Sequence, residues 1–145
     1  MSREQGTEGL EQLNSEHLKG SRKPVGDYKE LIAYQKSYDL VLRIYQLTDT
    51  FPKEEMYGLT SQIRRAAVSI PSNIAEGFMR GSKEYIQFLK IALGSAAELE
   101  TQLSLSKDLG YCGIDQFNIL NGLTKEVLRL LTSYINKMRI KQMNR

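Results

Sequence analysis

The side chains able to act on a ligand are mostly bases and amides. Near the end of the chain, Asn118, Asn121, Lys125, Arg129, Asn136 and Arg139 recur at a spacing that puts them on one face of a helix. After Glu126 there is no further acid, while Arg129, Lys137, Arg139, Lys141 and Arg145 follow. Such a face can hold phosphates and reach base edges; the competing reading is a solvated face whose bases suit a helix C-terminus. Arg80 and Lys83 form a second basic group and Arg64–Arg65 a third. Neighbouring residues on a helix diverge by about 100°, so the two arginines cannot share one phosphate. One is expected to pair with a carboxylate of another helix or chain, such as Glu76 or Glu98, and the other to be exposed.

The pattern for catalysis or metal binding is missing. The single histidine, His17, lies in a polar N-terminal stretch. Di-iron bundles need Glu-x-x-His motifs on facing helices, and Glu98 and Glu100 point to different sides of their helix. Cys112 sits in a Gly-Tyr-Cys-Gly turn without a neighbouring base to lower its pKa. No glycine-rich phosphate loop is present. The expectation is a protein that is not an enzyme, with no catalytic residue, metal or cofactor; an enzyme would need converging carboxylates that no local cluster suggests.

The elements that would position these groups are helical. From Tyr28 to Thr48, Leu31, Tyr34, Tyr38, Val41, Leu42 and Tyr45 form one stripe, and Ala33, Leu40, Ile44 and Leu47 a second, almost opposite. A bundle helix needs one apolar face. The first stripe is taken as core and the second as an interface with another copy, unless it is ordinary surface apolarity. Phe51-Pro52 ends this helix. A second helix begins near Glu54 or Glu55 and carries Leu59, Ile63, Ala66 and Ile70 inward. Pro71 either kinks it or stops it, with Asn73 and Glu76 spaced to cap a restart; Ile74 and Phe78 favour one kinked helix ending at Gly77 and Gly81. A third helix starts with Ser82 as N-cap, turns Tyr85, Phe88, Leu89, Ala92, Ala96, Leu99 and Leu103 inward, and ends at Gly110. Its Gly94-Ser95-Ala96-Ala97 run should let the helix bearing Ala66 and Ala67 come close. A fourth starts around Asp115 and buries Phe117, Leu120, Leu123, Val127, Leu131, Tyr134, Ile135 and Met138. No run alternates with period two, so no sheet is expected. The reading is an all-α, antiparallel up-down four-helix bundle over 28–140, between a disordered polar tail, 1–27, and a basic C-terminal tail, 141–145.

A chain of 145 residues with 41% hydrophobic residues suffices for one such core. No apolar run is long enough to span a bilayer, the start has no signal-peptide pattern, and a lone cysteine suits a reducing cytoplasm. The net charge of +3 is unevenly spread, with residues 1–27 at −1 and the rest at +4.

Three stretches, LIAYQKSYDLVLRIYQLTDTFP (Leu31–Pro52), YGLTSQIRRAAVSIPSNIAEG (Tyr57–Gly77) and IALGSAAELETQLSLSKDLGY (Ile91–Tyr111), resemble the four-helix-bundle proteins encoded in intervening sequences of bacterial 23S ribosomal RNA genes. The resemblance implies a homopentamer shaped like a barrel. It also implies kinship with the accessory variability protein of diversity-generating retroelements, which binds a reverse transcriptase and nucleic acid through a basic surface. Arg64, Arg65, Pro71, Asn73, Glu76 and Gly77 match the family signature, and no catalytic residue carries over. The function expected is a non-enzymatic, homo-oligomeric scaffold for RNA or a nucleic-acid enzyme, with Lys125, Arg129, Asn136, Arg139, Arg80 and Lys83 as contacts. A protein-only adaptor is the alternative, and no membrane partner is expected.

Overall fold

A computed structural model of the chain describes residues 26–144. The polar tail expected over 1–27, with His17, therefore lies almost wholly outside the described residues. A 3-10 turn, Tyr28–Glu30, is capped by Asp27, whose carboxylate accepts from the Lys29 amide at 3.0 Å. Four α-helices follow: α1, Ile32–Thr48; α2, Leu59–Arg80; α3, Ser82–Asp108; and α4, Ile114–Met143. A second 3-10 turn, Lys53–Glu55, fills the connection after Pro52. No strand occurs among the described residues.

The helices pack as a four-helix bundle, each against the next and α1 against α4. The start of α1 meets the end of α2, where Tyr28 and Phe78 stand edge to face at 6.3 Å. The start of α3 meets the end of α4, where the Gln142 side chain donates to the Ser82 carbonyl at 2.9 Å. At the other end, Phe51 packs on Tyr111 at 5.4 Å, joining the two remaining connections.

The most extensive contact is α2 on α3. Ala66, Ala67, Ala92 and Ala96 are buried there, and the hydroxyls of Ser69 and Ser95 are 2.8 Å apart. The expectation of a small-residue contact holds, except that Gly94 faces open space. Gly77 is needed instead: a Cβ on it would stand 2.5 Å from the Phe88 Cβ. α2 runs unbroken through Pro71. The capping restart is not formed, because Asn73 donates back to the Ser69 carbonyl at 2.8 Å and Glu76 pairs with Arg80. Gly110, at φ +79°, ends α3: its amide donates to Lys107 and that of Tyr111 to Ser106, the two bonds of a Schellman turn. Ser82 is not the N-cap expected. Gly81, at φ +98°, takes that position, and a reversal this tight leaves Ser82 as the first helical residue. α4 reaches Met143, so most of the stretch expected as a basic tail is helix.

The two stripes of α1 are largely exchanged relative to expectation, although Leu31 of the first is buried as expected and Tyr34 and Val41 pack against the core. Leu40, Ile44 and Leu47 are 0%, 0% and 4% exposed, buried in this chain's own core, and Ala33 packs against that core. Leu40, Ile44 and Leu47 therefore have no surface left for another copy, while Ala33 is half-buried. Tyr38, Leu42 and Tyr45, expected inward, are 53%, 53% and 42% exposed. Leu and Ile lose nothing polar on burial, whereas an enclosed tyrosine hydroxyl needs a partner. Buried Ser37 fits between the inward residues because its hydroxyl donates to the Tyr34 carbonyl at 3.0 Å.

Two substitutions test the packing by thermal or urea unfolding. Gly77→Ala should cost about 1–3 kcal/mol through overpacking. Gly94→Ala, in open space, should be neutral or stabilise by up to about 1 kcal/mol through helix propensity. Likewise Ile44→Ala should cost about 2–5 kcal/mol, and Leu42→Ala should stay within about 0.5 kcal/mol in a monomer.

Candidate nucleic-acid interface

The outward side of α4 is set by the inward one. Phe117, Leu120, Thr124, Val127, Leu131 and Ile135 are buried, so Asn118, Lys125, Arg129, Asn136 and Arg139 are exposed on the far side, with Asn121 half-buried. From Lys125 to Arg139 this face extends about 21 Å along the helix. Among the described residues none of Lys125, Arg129, Lys137, Arg139 or Lys141 forms an ion pair. The last acid of α4, Glu126, is held by Lys36 of α1 at 2.8 Å. The Gln142–Ser82 bond brings the α4 C-terminus beside the α2–α3 reversal, so exposed Lys83 joins this basic end.

Arg80 does not join it as a free cation. Its guanidinium is divided between Glu76 at 3.0 Å and Glu84 at 3.3 Å and lies 5.0 Å from the Phe88 ring centre. The hydrogen bonds to Glu76 and Glu84 raise its pKa. It braces the α2–α3 reversal.

Of the adjacent arginines, Arg64 is structural and Arg65 exposed, as expected, but the partner is neither Glu76 nor Glu98. Arg64 Nε donates to the Thr48 hydroxyl at 2.7 Å and Nη2 to Asp49 at 3.0 Å, with the guanidinium 4.5 Å from the Tyr45 ring centre. The Thr48 hydroxyl in turn donates to the Ile44 carbonyl at 2.7 Å. This clamp ties the C-terminus of α1, where a cation is favourable, to the second turn of α2. Thr48-Asp49 at a helix end, facing Arg64 across a short connection, was the signal for it.

Sequence spacing assigned no outward role to the face formed by α1 and α2. Tyr34, Tyr38, Val41 and Leu42 line a groove with Val68 and Pro71, and it continues to Tyr45, Met56 and Tyr57. Tyr57 is 94% exposed.

Cys112 is buried, with its Sγ 3.4 Å from the Gly113 carbonyl. Burial pushes its pKa up, against a smaller lowering by Lys107. Among the described residues no three His, Cys, Asp or Glu side chains converge on a metal position. No helix there is long and apolar enough to cross a membrane.

Residues 29–133 match the family model described as 23S rRNA-intervening sequence protein. The structure is similar to the crystal structure of a protein of unknown function from the S23 ribosomal protein family of Bacteroides thetaiotaomicron VPI-5482. The two share 30% identity and a TM-score of 0.67, over 72% of this chain and 96% of that one. No curated protein matches the chain.

Removing the clamp with Arg64→Ala should cost about 1–2 kcal/mol in chemical unfolding, most of it from the partly buried Thr48 bond. Asp49→Ala should cost under about 1 kcal/mol, its carboxylate being largely exposed. Because a raised thiol pKa leaves less thiolate, iodoacetamide should alkylate Cys112 in the folded chain more slowly than in urea at pH 8, and the folded rate should keep rising above pH 9.

Proposed function

The chain belongs to the 23S rRNA-intervening sequence protein family, and from its geometry we propose a non-enzymatic, homo-oligomeric helical scaffold that binds RNA through the basic face of α4. The observation that carries this reading is the division of α1 into a core stripe and a second, outward one. Leu40 and Ile44 already complete the bundle, so Tyr38, Leu42 and Tyr45 remain for another copy. Exposed apolar groups gathered along one groove, rather than scattered, mark an interaction surface.

The subunit is read as an up-down antiparallel bundle, a course supported by the meeting of Tyr28 with Phe78 and of Ser82 with Gln142. The resemblance favours five copies. Such a ring would repeat Lys125, Arg129, Asn136 and Arg139 about its axis, giving a polyanion several equivalent contacts. The setting proposed is the cytoplasm.

Light scattering on a size-exclusion column should give an oligomer at micromolar concentration. Tyr38→Glu with Leu42→Glu should give a helical monomer; a wild-type monomer would remove the scaffold. For RNA, gel shifts should weaken steeply between 50 and 200 mM salt, roughly as counterion release predicts. Lys125→Glu with Arg129→Glu should weaken binding about tenfold or more at low salt. A sample that carries a defined protein, lacks nucleic acid and gives no shift at low salt would replace this reading with the protein-only adaptor.

A further inference from the structure

The cleft between the C-terminal half of α1 and the first turns of α2 shares Tyr45 with the proposed oligomer face and otherwise gathers groups that neither that face nor α4 uses. Tyr45, Tyr57, Thr60, Ser61, Arg64 and Arg65 wall it. Three observations converge there. First, the N-cap of α2 is Gly58, so no side chain caps it. The amides of its first turn thus have no side-chain acceptor, and the end of this 22-residue helix favours an anion. Second, Thr60 is only 6% exposed and its hydroxyl has no hydrogen-bond partner. Buried polar groups are nearly always paired, so an orphan beside a cleft points to something that completes it. Third, the cationic and aromatic groups are of two kinds. Arg64 is already held by Thr48 and Asp49, whereas Arg65 is exposed and without an ion pair among the described residues. The ring of Tyr57, 94% exposed, stands at the rim.

We propose that this cleft binds a nucleotide, with the phosphate at the α2 N-terminus among Thr60, Ser61 and Arg65 and the base stacked on Tyr57. A phosphate alone would use the helix end and the hydroxyls but leave the aromatic ring idle; an aromatic group carried beside the phosphate uses both. Glu55, whose carboxylate oxygen lies 3.6 Å from where a Gly58 Cβ would stand, opposes an anion here. The proposal rests on the nucleic-acid reading only for the source of the nucleotide, either a free mononucleotide or one residue of a strand.

Calorimetric titration of the full chain with adenosine 5′-monophosphate, inorganic phosphate and a short oligoadenylate separates these cases. The monophosphate should bind, and inorganic phosphate more weakly. Tyr57→Ala should weaken the monophosphate about tenfold, as should Arg65→Ala, both at exposed positions whose folding circular dichroism can verify. Glu55→Gln should strengthen it. Lys125→Glu with Arg129→Glu should leave monophosphate binding intact while weakening the oligoadenylate. If only the oligoadenylate binds, and Tyr57→Ala weakens it, the source is a strand and the site stands. If Tyr57→Ala and Arg65→Ala change neither titration, or neither probe binds, the site is refuted. In the first case the α4 face keeps its own test, because reversing Lys125 and Arg129 still reports on it.

Discussion

The approach of α2 to α3 is the constraint on which the bundle depends. With a Cβ at Gly77 the two backbones would have to part, since Phe88 would be 2.5 Å away. Ala67 and Ala96 keep the same contact thin further along, and the paired hydroxyls of Ser69 and Ser95 fix its register. Small side chains bury little surface each, so such a pair gains from many close atom contacts rather than from large apolar groups. The bulk of the core comes from larger side chains of all four helices: Ile63, Ile70 and Ile74 of α2, Leu89, Leu99 and Leu103 of α3, Leu40 and Ile44 of α1, and Val127 and Leu131 of α4 are all fully buried.

Part of this was legible in the sequence. Gly81 and Gly110 end helices through positive φ, a feature that depends on the residue type alone, and both read correctly. Gly77, expected to help end α2, lies inside it and instead permits a contact no side chain allows. The continuous course of α2 through Pro71 was also legible, from Ile74 and Phe78 carrying the apolar side onward. The two stripes of α1 were not. Periodicity places Leu40 and Ile44 opposite Tyr38 and Leu42, but it is blind to which arc meets the other helices. Side-chain chemistry held the missing information: the stripe of Leu and Ile is buried, and the stripe rich in tyrosine is exposed. Arg64 was readable as structural but not as to partner, because Asp49 lies beyond the end of α1, and sequence spacing says little about how a connection folds back.

Acids along α2 and the start of α3 are occupied locally: Glu76 and Glu84 both hold Arg80, and Asp49 holds Arg64. Glu126 holds Lys36 across to α1. Exposed pairs of this kind add little stability. Their effect is on the field outside, since each cancels a base that would otherwise be free. Of the bases left without an ion pair among the described residues, Lys125, Arg129, Lys137, Arg139 and Lys141 share α4, where no acid follows Glu126. The modest net charge of +3 thus conceals a local excess, and a polyanion would meet it on one helix rather than over the whole surface.

The chemistry of the outward α1 face also bears on how copies could meet. A row of leucines there would need burial as much as the core does, and a free subunit would be prone to aggregate. Tyrosine has a large apolar ring with a polar tip, so it tolerates water and still gains from being covered. Tyr38 and Tyr45, each about half exposed, are suited to a surface that is wet in the lone subunit and dry in an assembly. Leu42 between them supplies apolar area without widening the patch. The α1 sequence therefore encodes two degrees of burial on one helix. Leu40 and Ile44 are covered as soon as the chain folds, while the tyrosine stripe could be covered only by the further copy proposed above, and its hydroxyls let it stand in water without one.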